Sequence, residues 1–282
     1  MPELPEVETF VRQLRPLIIG RKIKSFGIAN SGDRLIGKQD QLLLRKYLKG
    51  DAIKAIDRHG KYLIFQLETG NRIVAHLRMT GRFVYSSEQF KNKFLRLYLE
   101  FIDGSYLNFI DIRKFATFDF QLVKEFLHFN KIKNIGPDAI DEDFNTAYFA
   151  NYILHHKRPI YTTLLDQKVV AGIGNIYANE VLFKSRIHPQ QPIQSLNQGQ
   201  IATLIQNIKS ILNHSIEFRG TTLIDNSYKD LDGNNGEFAN SLLVYGKLNQ
   251  SCSNCNSKIL KLKISQRSIF YCPNCQKLSP SN

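Results

Sequence analysis

All four cysteines of this 282-residue chain lie near its C-terminal end, as Cys252-x2-Cys255 and Cys272-x2-Cys275. Two tight knuckles at this spacing present four thiolates tetrahedrally to a single Zn²⁺. A four-cysteine site has no open coordination position, so the metal is expected to be structural. Disulfides are the competing use of the same residues. The chain opens with acids and prolines instead of a basic start and an apolar run. No secretory signal is visible, and a cytoplasmic home, where disulfides are rare, is expected. Between the knuckles, residues 259–264 and 268–271 read as two β-runs around Ser265-Gln266-Arg267. Arg267 is thereby expected at a hairpin tip, where a guanidinium suits a phosphate or a base.

The charge supports that use. The net charge is +13, and from Phe238 onward there is no Asp or Glu, while Lys247, Lys258, Lys261, Lys263, Arg267 and Lys277 remain. A cationic segment that carries a metal motif points to a polyanion, most often nucleic acid. No apolar run is long enough to span a membrane, so no membrane partner is expected.

Two kinds of periodicity divide the rest of the chain. Val7, Phe10, Val11, Leu14 and Ile18 recur at helical spacing and predict a helix over 5–18, ended by Gly20. A second helix is expected over 39–48. Short runs rich in Ile, Phe and Tyr follow at 52–57, 62–67, 73–77, 83–85, 95–101, 106–110 and 117–120, with turns at Glu68-Thr69-Gly70-Asn71 and Asp103-Gly104. Many short, evenly spaced strands suggest a β-sandwich. Near Asn134-Ile135-Gly136-Pro137-Asp138 helical periodicity takes over, with helices expected at 144–155, 159–165, around 179–183, and from a Ser195-x2-Gln198 capping box to about 218. Residues 225–240 are rich in Asn, Asp and Gly and read as a mobile loop. The expected division is 1–134, a linker at 135–145, a helical domain at 146–240 and the cysteine module at 241–282.

Two stretches remain ambiguous from their residues alone. Gly172-Ile173-Gly174-Asn175 precedes a helix but lacks the third glycine of a dinucleotide fingerprint, so NAD binding is rejected. It reads either as a plain helix–helix turn or as a phosphate-binding helix start. The N-terminus, Met1-Pro2-Glu3-Leu4-Pro5-Glu6, reads locally as an acid-rich helix start. Removal of Met1, the usual fate of methionine before proline, would also expose a secondary amine beside two carboxylates, an arrangement for covalent catalysis.

Taken together, these stretches resemble the bacterial formamidopyrimidine-DNA glycosylases and their endonuclease VIII relatives. The resemblance runs through 1–9, Arg58-His59-Gly60-Lys61-Tyr62-Leu63, residues 76–82, 165–180, Ile187-His188-Pro189, Gly220-Thr221-Thr222 and the cysteine module. It implies an α+β fold: an N-terminal antiparallel β-sandwich flanked by helices, then a helical helix–two-turns–helix domain with a β-hairpin zinc finger of four cysteines. It further implies a monomeric DNA repair enzyme acting at the nucleoid on damaged double-stranded DNA, a bifunctional glycosylase and abasic-site lyase excising 8-oxoguanine and formamidopyrimidines. In that scheme the Pro2 amine forms a Schiff base with C1′, Glu3 protonates the sugar ring oxygen and Glu6 supports the terminus. Lys61 and Arg267 serve β- and δ-elimination. Met79, Arg113 and Phe115 fill the gap left by the flipped nucleotide, a role that their thioether, guanidinium and ring suit. Without the resemblance, Met79 and Phe115 read as core and Arg113 as a partner of Asp111. His76, Lys157 and Asn175 match DNA-backbone contacts. The loop from Thr221 and Thr222 to Tyr228 matches a lesion-capping lid, and Cys252, Cys255, Cys272 and Cys275 match zinc ligands.

The chain departs from the family pattern at Ile112, Lys114 and Ala116, at Gln266 and Ile269, and at Tyr161, where a basic residue is usual. Two rival readings are an endonuclease VIII-type specificity for oxidised pyrimidines and a non-catalytic zinc-finger DNA-binding protein. Leu4 and the Met79/Arg113/Phe115 set favour the purine branch. A purely binding protein has no use for a free Pro2 beside Glu3.

Overall fold

The structure, a computed structural model, describes residues 1–126, 129–225 and 227–278. The chain forms two compact units, Met1–Lys133 with Phe218–Ala239, and Asn134–Glu217 with Asn240–Asn282.

In the first unit, helix α1 (Leu4–Ile18) buries Val7, Phe10, Val11, Leu14 and Ile18, the stripe that its spacing predicts. Strand β1 (Ile23–Ile28) and helix α2 (Lys38–Tyr47) follow, then β2 (Ile53–His59), β3 (Tyr62–Leu67), β4 (Arg72–His76), β5 (Gly81–Ser86), β6 (Leu95–Phe101), β7 (Tyr106–Asp111) and β8 (Thr117–Gln121). They form two four-stranded sheets of order β1-β6-β7-β5 and β2-β3-β4-β8, with every pairing antiparallel. Phe83 and Phe109 of the first sheet meet Phe65 and Phe118 of the second, with ring centroids 4.7–5.6 Å apart. Burying one such ring stabilises by about 1.5–3 kcal/mol. Four of them therefore rival the whole net stability of an ordinary domain. The strand that escaped sequence reading is β1. Beyond Ile23 it is only half-buried, so it shows no alternation. It also contains Gly27, where a Cβ would lie 2.0 Å from the ring of Tyr98 on the neighbouring strand.

Residues 218–239, expected as part of the helical domain, belong to this first unit. The polar stretch within them is anchored where a mobile loop was expected. Tyr228 and Leu231 join the sandwich core. Buried Asp230 accepts the backbone N–H of Asn234 at 2.7 Å and the side-chain amide of Gln13, on α1, at 3.0 Å. Low hydrophobicity hid this, because the anchoring is done by a carboxylate.

A short helix α3 (Asn130–Lys133) ends the first segment of the first unit; in the second unit α4 (Thr146–Leu154), α5 (Ile160–Leu165), α6 (Asn175–Lys184) and α7 (Gln198–Glu217) make the helical body. Asn145 caps α4 by accepting the Tyr148 N–H at 2.9 Å. The cap of α7 is two residues later than expected. Asn197 and Gln200 form the reciprocal box, at 2.9 and 3.0 Å, in place of Ser195 and Gln198. Helix α6 is buried from Ile176 through Phe183, on all faces, which is why it shows no amphipathic stripe and its first turn was missed. The hairpin β9 (Leu260–Ile264) and β10 (Arg267–Tyr271) completes the unit. Its two turn residues, Ser265 and Gln266, have φ of 48° and 64°. That is the pair of left-handed conformations that a two-residue hairpin turn requires, here adopted without glycine.

Candidate functional site

The N-terminal helix start is a buried, cross-braced structure. Pro2 is buried, and Glu3 and Glu6 are 2 % and 1 % exposed. They form a capping box in which Glu6 Oε2 accepts the Glu3 N–H at 2.7 Å. The other Glu6 oxygen accepts the Thr221 N–H, also at 2.7 Å. Removing that carboxylate would take a charged acceptor away from two backbone donors, at about 1–3 kcal/mol each. Gly220 must be glycine here: its φ is +81°, and a Cβ would lie 2.7 Å from Glu6 Oε1. One acid thus ties the terminus to the 220–222 turn, distant in sequence.

Thr221, Thr222 and Tyr228 are 3 %, 8 % and 4 % exposed, so they form the footing of the expected lid, not its surface. Thr222 Oγ1 donates to the Tyr228 carbonyl at 2.9 Å and accepts the Gly236 N–H at 2.8 Å. The Tyr228 hydroxyl donates to the Arg219 carbonyl at 3.0 Å, and its ring meets Phe10 edge-on. Burial, reinforced by the Glu6 charge, pushes the Tyr228 phenol well above its ordinary range, so it remains a neutral donor. Between these anchors Ile224 is fully exposed, and Asn226 lies outside the described residues.

Lys61 and His76 occupy adjoining positions of the second sheet. Lys61 precedes Tyr62, which pairs with His76 at the end of β4, and both Lys61 and His76 are 6 % exposed. His76 Nδ1 accepts the Arg78 N–H at 3.0 Å, which leaves the proton of a neutral ring on Nε2. Burial, with the charges of Arg78 and Lys61 behind it, pushes His76 down to about 3 from 6.5. The folded protein keeps this ring neutral, whereas the unfolded chain protonates it below about pH 6.5. The contribution to stability is complete above that pH and is lost as the pH falls toward about 3, by on the order of 1 kcal/mol per pH unit. Urea denaturation at pH 7 and pH 5 should show wild type losing about 1–2 kcal/mol more than His76→Gln. Equal losses would remove His76 from the acid response.

Met79, Arg113 and Phe115 come together as a solvent-facing cluster. Met79 and Phe115 are 37 % and 52 % exposed, so neither is core. The Arg113 guanidinium donates to the Met79 sulfur at 2.9 Å and lies 4.7 Å from the Phe115 ring centroid. Asp111 does not pair with the guanidinium. Fully buried, it accepts the Thr80 hydroxyl at 2.5 Å and the backbone N–H groups of Arg113 and Ala116 at 3.1 and 3.0 Å. That carboxylate holds the turn in the absence of the family's proline and glycine, and Lys114 takes the left-handed conformation at φ 58°. Sequence reading named Asp111 but missed its role, since backbone capping leaves no spacing signature.

The other expected site residues belong to the second unit. Lys157 is exposed between α4 and α5, and Arg267 is exposed at the start of β10. Asn175 opens α6, half-buried. The Cys252, Cys255, Cys272 and Cys275 sulfurs all lie within 4.8 Å of one another, with 3.8 Å between Cys252 and Cys275 and 3.4 Å between Cys255 and Cys272. Tetrahedral thiolates around zinc at about 2.3 Å would be about 3.8 Å apart. The Asn254 and Cys275 N–H groups donate to the Cys252 and Cys272 sulfurs, at 3.4 Å each. Hydrogen bonds, first that of Ser257, bring the Cys255 thiol down to about 5, while burial pushes Cys272 and Cys275 up. Sulfurs this close can all ionise only around a cation, so the cluster is one that could hold a metal ion.

A braced N-terminal acid pair on a β-sandwich, an exposed thioether–guanidinium–ring cluster and a four-cysteine hairpin on a helical unit define the sandwich-plus-helix–two-turns–helix class. Comparison with known proteins narrows it. The formamidopyrimidine-DNA glycosylase N-terminal domain matches residues 1–118, and the H2TH domain of the same proteins matches 135–227. The formamidopyrimidine-DNA glycosylase of Enterococcus faecalis is 36 % identical over 99 % of this chain and 98 % of its own length. That of Streptococcus pneumoniae is 37 % identical over 98 % and 99 %. Among solved structures, Lactococcus lactis Fpg in complex with abasic-site DNA superposes with a TM-score of 0.88 at 35 % identity, covering 98 % of this chain and 99 % of that one. MutM bound to DNA containing carbocyclic 8-oxo-G gives 0.87 at 36 %, covering 98 % and 100 %. The chain belongs to the formamidopyrimidine-DNA glycosylase family.

Proposed function

We propose that the protein is a DNA glycosylase and abasic-site lyase that removes oxidised purines from double-stranded DNA with Pro2 as nucleophile. The observation that carries this is the braced terminus: a buried Glu3 beside Pro2, fixed through Glu6 to the Gly220–Thr221 turn. A frayed helix start would need no such bracing. Membership of a family whose relatives are solved on abasic-site DNA and on Fapy-dG DNA supports the same reading.

Once Met1 is removed, the Pro2 nitrogen lone pair bonds to C1′ as the bond from C1′ to the base breaks, the base taking the bonding pair. The nitrogen loses its proton. Glu3 then protonates the ring oxygen, the C1′–O4′ bond opens, and an iminium joins nitrogen to C1′. The iminium acidifies C2′–H, and successive β- and δ-eliminations expel the 3′- and 5′-phosphates. Lys61 and Arg267 are the groups proposed to assist them. Extrusion of the nucleotide costs a few kcal/mol of unstacking. Met79, Arg113 and Phe115 are proposed to fill the space, with Phe115 stacking and Arg113 facing the orphaned partner base. Neutral His76, Lys157 and Asn175 are proposed to hold the backbone. Zinc is the metal that the four cysteines suit best, with thiolate ligands only and no open position.

Borohydride reduction on abasic-site DNA tests the nucleophile. A covalent protein–DNA adduct through Pro2 is expected for the chain that begins at Pro2, and none through Pro2 for a chain retaining Met1, in which that nitrogen is an amide with no lone pair to offer. An adduct mapped to a residue other than Pro2 would sink the assignment. Preference for thymine glycol over 8-oxoguanine in duplexes would move the substrate to oxidised pyrimidines.

A further inference from the structure

We propose that Tyr161 is a positioning residue. By a neutral hydrogen bond it sets the side-chain amide of Asn175, and with it the grip of the second unit on the DNA backbone. The inference rests on the reading of Asn175 as a backbone contact.

Tyr161 stands on α5 with none of its surface exposed. Its hydroxyl donates to Asn175 Oδ1 at 2.6 Å. The same oxygen receives the Asn179 side-chain N–H at 3.1 Å, so both of its lone pairs are engaged from inside the helical body. Turning the amide over would set its NH₂ against that of Asn179, whose own orientation is fixed by the Phe270 N–H on its Oδ1. The orientation is therefore fixed, with Nδ2 on the other side. One Nδ2 hydrogen leans toward the Ser268 carbonyl at a long 3.4 Å, which leaves the second to be offered to a phosphate oxygen. Asn179 in turn accepts the Phe270 N–H at 2.6 Å. The α6 start is thereby tied to β10 at Ser268 and Phe270, on the strand that begins with Arg267. A tyrosine here holds the amide of Asn175 and adds no charge of its own.

The chemistry separates positioning from charge. Deleting a cation that neutralises one phosphate lowers the salt dependence of binding by about one unit of slope. A misaligned neutral amide weakens binding without altering that slope. The test compares wild type, Tyr161→Phe, Asn175→Ala and the double variant, each as the full metal-loaded chain, on a duplex carrying a tetrahydrofuran abasic analogue. Kd is followed across a KCl series, together with the melting temperature. Tyr161→Phe is expected to bind about fivefold more weakly, the worth of one neutral hydrogen bond. Its salt slope should be unchanged. The double variant should bind no worse than Asn175→Ala alone. If Asn175→Ala binds like wild type, the backbone-contact reading fails and the inference falls with it. If Asn175→Ala weakens binding but Tyr161→Phe does not, if the two effects multiply, or if the slope changes, the assignment of Tyr161 alone is overturned.

Discussion

Replacing Glu3 by glutamine is expected to slow excision of 8-oxoguanine by about 10²- to 10⁴-fold, the usual worth of a positioned general acid. The substitution is a gentle one structurally. Glutamine has nearly the same volume, and its carbonyl can still take the helix-cap contact at the start of α1. The Glu3 backbone N–H keeps its bond to Glu6, and Glu6 keeps Thr221. What glutamine cannot do is hand a proton to a ring oxygen. An abasic site has already lost its base, and its open-chain aldehyde needs no ring-opening acid. The borohydride adduct on abasic DNA should therefore persist in Glu3→Gln while excision of an intact lesion collapses. Two measurements on one variant separate the acid from the nucleophile. Wild-type excision by the variant, or loss of the adduct as well, would show that Glu3 does something else.

How much of this was legible in the chain depends on how each feature is encoded. The α1 stripe from Val7 to Ile18 and the paired cysteines are written in spacing, and both were read directly. Strand β1 was not, because Gly27 leaves room for Tyr98 from the next strand, and no local pattern announces a neighbour's side chain. The same limit hid the buried polar work. Glu6, Asp111 and Asp230 each satisfy backbone N–H groups of turns, and the turn that Glu6 holds lies far away in sequence. In sequence such acids look like surface charge. The anchoring of the loop went unread for a related reason: two threonines and a tyrosine in a polar run carry no signal of burial, yet Thr221, Thr222 and Tyr228 are all buried. Resemblance supplied Met79, Arg113 and Phe115, of which the residue types alone had put the first and last in the core. The structure turns them to solvent.

Removing the metal should have the second large effect, and its cause lies in how little else holds the cysteine module together. Its apolar cluster consists of Val244, Cys252, Ile259 and Cys272 packed on Phe183 of α6, with Phe270 partly buried beside them. Most of the β9 surface is exposed, as Leu260, Lys261 and Lys263 show. A segment this small cannot bury enough surface to order itself, and in such modules metal binding supplies the folding free energy, about 10–16 kcal/mol for zinc-finger peptides. Cys272→Ser removes one thiolate from the centre of that cluster, and chelation removes the cation that lets four sulfurs crowd within 4.8 Å. Either change should release the β9–β10 hairpin, which elsewhere is pinned to α6 through Asn179, while Gln276, just past it, donates to the Ile187 carbonyl beyond α6 at 2.9 Å. The sandwich unit has its own core and should keep it. Elemental analysis is expected to give one zinc per wild-type chain and none for the chelated protein. Hydrogen exchange should show protection disappearing across 250–276 but retained in β2 to β8. Affinity for abasic-analogue duplex should fall about a hundredfold or more, since Arg267 and the surrounding lysines lose their fixed geometry and with it their hold on several phosphates. A metal-free chain that keeps both the protected hairpin and its DNA affinity would mean that the cysteines are packing residues, and that Arg267 owes its place to α6 alone.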